Sequence, residues 1–168
     1  SKLAIALGKD GSAYLLDPSN LGGEGHWLNS KKVSGQEIIQ AAVAYTTATG
    51  TFVTMRASGQ GCTSGSGSLT ALSISGASPP AISVAWCAGD SGSGSPIVTT
   101  TDGTAESIVW LLTAERGNTL LGYNGETGEQ VFDGGGASLG KISRFQTPIA
   151  AKGRIFVASD TKVTAFKP

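Results

Sequence analysis

The residues best suited by type to do chemistry lie in the stretch 87–98, CAGDSGSGSPIV. Ser91 follows Asp90 and precedes Gly92, in a turn-forming run that would present its hydroxyl. To act as a nucleophile it needs a histidine base, a carboxylate to orient that base, and backbone donors for the oxyanion. The chain has 1 histidine, His26. The acidic residues between His26 and Ser91 are Glu37 and Asp90, and Asp90 is the serine's own neighbour.

The stretch resembles the nucleophile loop of chymotrypsin-like serine proteases, Cys-x-Gly-Asp-Ser-Gly-Gly-Pro, which implies an acyl-transfer serine. It departs from that loop in carrying two extra residues before Pro96, and His26 sits in GEGHWLN rather than Ala-Ala-His-Cys. The protease reading is rejected, because the motif lacks its partners. Metal chemistry is no better supported. One histidine and two cysteines 25 residues apart do not make a zinc set. The pairs Asp10-Gly11, Asp102-Gly103 and Asp133-Gly134 read as turns rather than calcium loops; Asp10 and Asp17 lack the other ligands of an EF-hand. The runs GGEG and DGGG do not open a helix, so no phosphate cradle is expected. His26 and Trp27 form either a surface recognition pair or, by strand alternation, a solvent-facing histidine beside a core tryptophan; alternation favours the second.

The elements that must hold these residues are short. Of 168 residues, 14% are charged, and 12 Lys+Arg balance 12 Asp+Glu. No field of one sign is available to draw nucleic acid, and no apolar run is long enough to span a bilayer. Gly, at 25 residues, is about twice as frequent as usual. Apolar residues come in short blocks separated by Gly, Asp, Asn and Ser, which is the composition of strands and turns. Residues 35–45, GQEIIQAAVAY, have helical propensity, but their place in the pattern below argues for a strand. Cys62 and Cys87 sit beside polar, Gly-rich loops; a disulfide between them fits that setting better than two buried free thiols. Such a bridge, with low charge, points to a periplasmic or extracellular protein. The start, SKLAIALGKDG, reads as a processed or truncated N-terminus.

Aligning the blocks exposes a repeat. Short strands begin beside Ala42, Pro96 and Pro148, 54 and 52 residues apart. Each is followed by a Gly turn (Gly50, Gly103, Gly153), a more apolar strand (TFVTM, SIVWLL, RIFVAS), then a third strand (SLTALSIS, NTLLGYNGETG, TKVTAFKP). A fourth strand carries an aromatic residue: Trp27, Trp86 or Phe132. The opening LAIALGKDGSAYLLDPS fits as a second and third strand without a first. The expectation is an all-β chain of fourteen strands, grouped three, four, four and three. A period near 50 with four strands per unit is the signature of a propeller blade. The blades are read as 1–34 (incomplete), 35–89, 90–136 and 137–168 (incomplete), forming one domain over 1–168.

Residues 122–132, GYNGETGEQVF, resemble the blade motif Ala-x-Asp-x-x-Thr-Gly-x-x-x-Trp of quinoprotein-like propellers, which include the pyrroloquinoline-quinone (PQQ) alcohol dehydrogenases and non-enzymatic BamB-like relatives. Gly122, Asn124, Thr127 and Gly128 match, with Phe132 in the tryptophan place. A looser copy holds Asp17 and Trp27, and another keeps Ala71 and Trp86 without the Thr-Gly turn. These positions are structural: Asp or Asn starts a turn, Gly supplies a positive φ, and the aromatic packs between blades. The resemblance implies the C-terminal portion of a seven- or eight-bladed ring, which needs its remaining blades or a second chain to close. It implies a binding or scaffold module of an exported bacterial protein, with a protein or small-ligand partner at the propeller loops. No catalytic, cofactor or metal residue is assigned. The alternative is a portion of a PQQ-dependent dehydrogenase, with calcium as second cofactor and its catalytic site in further blades. The vicinal cysteine pair of those enzymes is not matched, since Cys62 and Cys87 are far apart in sequence.

Overall fold

The computed structural model describes residues 2–62, 67–89 and 92–167. Asp90 and Ser91 lie outside them. Among the described residues the chain is all-β, with fourteen strands in four antiparallel sheets. The first sheet orders β1 (Ala4–Leu7), β2 (Ser12–Leu16) and β3 (Asn29–Lys32). The second orders β4 (Val43–Thr47), β5 (Gly50–Arg56), β6 (Leu69–Ile74) and β7 (Ile82–Ala88). The third orders β8 (Ile97–Thr99), β9 (Ile108–Leu112), β10 (Leu120–Asn124) and β11 (Gln130–Phe132). The fourth orders β12 (Ile149–Ala151), β13 (Arg154–Ala158) and β14 (Val163–Phe166).

Burial follows the stacking of these sheets. In β2 and β13 buried residues alternate with more exposed ones, the pattern of a sheet covered on one face. In β5, β6 and β9 the burial is nearly continuous, because the second and third sheets are covered on both faces. Three apolar layers result. Leu15, Val53 and Met55 lie between the first and second sheets. Phe52, Trp86, Val109 and Tyr123 lie between the second and third. Trp110, Leu120, Ile155 and Phe166 lie between the third and fourth. β4 approaches β8 and β3 approaches β7, so first strands share one side of the stack and fourth strands the other.

The tightest junction joins the second and third sheets. The turn between β10 and β11 is built by Asn124, whose Oδ1 accepts the N–H groups of Glu126 (2.9 Å) and Thr127 (3.1 Å). Gly128 closes it at φ 74°, its N–H donating to the Asn124 carbonyl at 2.9 Å. This turn faces the second sheet. The Gly125 carbonyl accepts the Trp86 indole N–H at 2.8 Å and the Tyr45 hydroxyl at 2.7 Å. A Cβ on Gly128 would stand 2.6 Å from the Trp86 ring, so the indole packs directly on the turn backbone. Phe132 has a similar role at the following junction, edge-on to Trp110 (5.5 Å) and Phe166 (5.9 Å).

Two expectations need correction. Residues 35–42 form neither helix nor strand; the regular structure begins at Val43. They cross from the fourth-strand side of one sheet to the first-strand side of the next, with Ile38 buried as an anchor (4% exposed). Trp27 does not pack between sheets. It precedes β3, is 45% exposed, and lies against Tyr14 on the outer face of the first sheet, ring centroids 5.1 Å apart. The register gives the reason. Opposite the fourth-strand aromatics stand small residues, Ala71 against Trp86 and Gly122 against Phe132. In the first sheet that third-strand position is Leu15, whose partner is Asn29. Leu15 fills the space itself, and Asn29 reaches the second sheet instead, accepting the Ile82 N–H at 3.2 Å.

The junction at Gly125 makes two tests direct. Trp86→Ala is expected to cost about 3–5 kcal/mol in urea unfolding, the range for removing a large buried aromatic. Trp86→Phe, which keeps a ring but loses the N–H donor, should cost about 1–2 kcal/mol more than an exposed aromatic swap. A Trp86→Ala protein as stable as the parent would show that the junction does not hold the sheets together. The second test is alkaline. Burial pushes the Tyr45 phenol up to about 12, against hydrogen bonds that lower it. Between about pH 10, where an unfolded tyrosine ionises, and about pH 12, the unfolded chain loses a proton that the folded chain keeps. Stability from this group is complete below that window and declines as pH rises through it, by on the order of 2 kcal/mol. Tyr45→Phe should therefore flatten the alkaline fall of a pH–stability profile, and an unchanged slope would refute the assignment.

Candidate binding surface

The two ends of the stacked sheets differ in what the chain must do there. At one end run the short turns 47–50 and 151–154 and the Asn124 turn. At the other run the segments 33–42, 92–96 and 133–148, which cross between sheets, together with the loops after β5 and β9. Crossing from β7 to β8, for example, traverses the width of a four-stranded sheet, which at about 4.8 Å per strand spacing is about 14 Å. The connections between sheets therefore collect at this end.

They are tied to one another by backbone and serine hydrogen bonds. Ser95 is buried (3% exposed); its Oγ accepts the Ala41 N–H at 3.2 Å and its own N–H donates to the Gln146 carbonyl at 3.2 Å. Three successive crossings thus meet at one serine. Ser34 does the same for the first crossing: its Oγ accepts the N–H groups of Gln36 (3.1 Å) and Ser58 (3.0 Å). The N–H of Phe145 donates to the Ser93 carbonyl at 2.9 Å and that of Glu115 to the Ile142 carbonyl at 3.2 Å. Cys62 and Cys87 are disulfide-bonded, Cα atoms 5.8 Å apart, and fasten the loop after β5 to β7. The bridge is compatible with an oxidising compartment.

Between these segments lies a polar cleft of about 260 Å³, lined by Gln36, Glu37, Gln40, Arg56, Ser93 and Arg144 among others. It continues through Ser93 and Arg144 into a wider hollow of about 510 Å³ that Glu115 and Arg116 flank. Arg56 comes from the end of β5, is 8% exposed, and donates from Nη2 to the Gly92 carbonyl. Arg144 is exposed and its Nε donates to Glu115 Oε2 at 2.9 Å. That hydrogen bond, helped by Ser93, holds the Glu115 carboxyl below its ordinary range. An exposed pair of this kind contributes little stability. Its donors and acceptors face solvent and are open to exchange partners. The cleft can bind polar or charged groups of either sign.

The residues singled out from sequence are distributed as follows. Trp86 meets the turn of Asn124, Thr127 and Gly128; Phe132 meets the fourth sheet; Cys62 meets Cys87. Asp17 starts its own turn, its Oδ1 accepting from the Ser19 N–H (2.8 Å) and hydroxyl (2.5 Å), and stays with Trp27 in the first sheet, away from the cleft. His26 is exposed. Asp10, Asp102 and Asp133 each accept a nearby backbone N–H through Oδ1, at 3.1 Å from Ser12, 2.7 Å from Ala105 and 3.1 Å from Gly135, as turn formers do. The cleft residues Gln36, Glu37, Arg56, Glu115 and Arg144 were not singled out. They come from separate crossings, and no motif joins them. Among the described residues, no helix is long and apolar enough to cross a membrane. The chain matches no family model, and no curated protein matches it.

The loop end depends on its bridge. Closing a 25-residue loop is expected to contribute about 3.5 kcal/mol in the chain-entropy description. Reduction, or Cys62→Ser with Cys87→Ser, should lower the urea midpoint accordingly while far-ultraviolet circular dichroism stays that of a β protein. A midpoint unmoved by reduction would show that the bridge does not constrain the fold.

Proposed function

We propose that the chain belongs to a quinoprotein-like β-propeller, without a catalytic site of its own, and binds a partner through the crossing-loop end of its stacked sheets. The protein would work in the periplasm or outside the cell. The observation that carries this reading is the mutual bracing of the crossings at Ser34, Ser95 and the Cys62–Cys87 bridge around a polar cleft. Such bracing supports recognition, because loops already ordered lose little freedom on binding. The repeated sheet with its fourth-strand aromatic docked on the next sheet supports the propeller. The partner engages the mixed-charge cleft at Gln36, Arg56 and Arg144.

Photo-crosslinking residues placed at Gln36 or Arg116, in the longest natural form of the protein and in its own cells, should yield discrete adducts. The same residue at Thr104 or Lys152, at the opposite end, should not. Arg144→Glu should reduce the adducts about tenfold, in line with loss of a desolvated charge contact. Adducts at the opposite end alone would overturn the assignment. So would a visible-absorbance change with thermal stabilisation on adding pyrroloquinoline quinone and calcium, which would favour a dehydrogenase.

A further inference from the structure

Asn124-Gly125 is the one Asn-Gly pair in the chain. An asparagine side-chain amide is open to attack by the backbone nitrogen of the next residue, and the attack meets least hindrance when that residue is glycine. Here packing requires the glycine. A Cβ on Gly125 would run into the Ser107 hydroxyl and stand 3.0 Å from the Tyr45 ring. A larger residue would push away the turn whose carbonyl receives Trp86 and Tyr45. The residue that lets the second and third sheets meet is also the one that leaves the Asn124 amide chemically vulnerable.

The fold holds the reacting atoms apart. Asn124 lies in β10, paired with Ile108, so its backbone is extended. Its N–H donates to the Glu129 carbonyl at 2.8 Å, and its carbonyl accepts the Gly128 N–H at 2.9 Å. Its side-chain oxygen is engaged by the N–H groups of Glu126 and Thr127. The Gly125 nitrogen must lose its proton to attack, yet Gly125 is buried and its N–H donates to the Ser107 carbonyl at 2.7 Å. Bringing that nitrogen onto Asn124 Cγ means rotating the Asn124 ψ out of the strand region. The rotation turns the whole peptide plane between the two residues. It breaks the bonds to Ser107 and Gly128 together and moves the Gly125 carbonyl away from Trp86 and Tyr45.

We propose that Asn124 is a deamidation site gated by the docking of the second sheet on the third, reacting when that junction opens. In the opened turn the deprotonated Gly125 nitrogen bonds to Asn124 Cγ, the Cγ–Nδ2 bond breaks, and ammonia leaves. Water then opens the cyclic imide. Addition at Cγ restores the main chain with an aspartate; addition at the backbone carbonyl carbon leaves the main chain running through Cγ, an isoaspartate. In sum one water enters and one ammonia leaves, with nothing oxidised or reduced. The aspartate product keeps the oxygen that starts the turn, as Asp17 and Asp102 do in theirs. The isoaspartate product lengthens the main chain by a methylene and turns the Cγ oxygen into a peptide carbonyl. That turn no longer presents the Gly125 carbonyl to Trp86 and Tyr45, so an opening that would have reversed becomes permanent. The site is separate from the crossing-loop cleft and does not rest on the function assigned there.

The test is to hold the purified, disulfide-intact chain in mildly alkaline buffer, with and without unfolding urea. Mass spectrometry of digests then follows residue 124 as asparagine, aspartate and isoaspartate. Conversion in native buffer should be at least about a hundredfold slower than in urea, since opening a folded segment is a rare event. Tyr45→Phe and Trp86→Phe each remove one donor to Gly125. Each should speed the native reaction about fivefold, the effect of one typical net hydrogen bond, and leave the rate in urea unchanged. Asn124→Asp should keep the parent's urea midpoint, whereas chains carrying isoaspartate should fail to regain native tryptophan fluorescence when urea is removed. Equal rates in native buffer and urea overturn the proposal, as does an Asn124 that survives in urea or a native rate unmoved in both variants. Recovery of native fluorescence by isoaspartate chains overturns the coupling to the junction, as does an Asn124→Asp protein that is itself unfolded.

Discussion

The carbonyl oxygen of Gly125 receives two hydrogen bonds from the neighbouring sheet, one from the Trp86 indole and one from the Tyr45 hydroxyl. Much of the architecture depends on that convergence. Trp86 lies on the last strand of its sheet and Tyr45 on the first, so the two donors bracket the whole width of the sheet. The acceptor belongs to a turn whose own conformation is fixed by Asn124 and Gly128. A sheet apolar on both faces gains by stacking at almost any angle; two directional bonds to one atom select a single angle and register. The hydrophobic term drives the sheets together, and the polar contact specifies how they meet.

The sheet grouping was legible because its signals are local. Pro96 and Pro148 each stand one residue before a first strand, where a missing N–H costs nothing, and Gly153 supplies a positive φ in the two-residue turn after β12. The repeat carried the rest, since three weak copies at one spacing outweigh any one of them. Two positions misled for a shared reason: their outcome depends on a partner in another strand. Trp27 has the residue type of a docking aromatic, but Leu15, fourteen positions from its partner Asn29, already occupies that space. Residues 35–42 have helical propensity, but they span between two sheets, and a single helix turn there would shorten the reach of the chain.

The candidate site was much less legible. Arg56 ends a strand, Glu115 follows β9, and Arg144 sits in the long crossing after β11. No spacing rule connects them. What brings them together is stacking, followed by bracing through Ser34 and Ser95, and serines in Gly-rich loops look alike in a sequence. The Gly-Asp-Ser-Gly stretch shows the converse. Its motif was conspicuous, yet the serine lacks a histidine and carboxylate to support it, and Asp90 and Ser91 lie outside the described residues.

The separation of roles between the two ends follows from connectivity. In each sheet the strands run in chain order from one edge to the other. The chain must then return across the full width to begin the next sheet, and four strands of alternating direction fix the end at which it does so. Every return falls at the same end, whatever the sequence. The connections at the opposite end, from the turn 47–50 to the longer loop 17–28, each stay within one sheet. The returning segments are long, pass over one another, and expose polar residues from three places in the chain within one cleft. Binding capacity at that end is therefore a consequence of topology, and the sequence of each crossing has only to choose which groups the cleft presents.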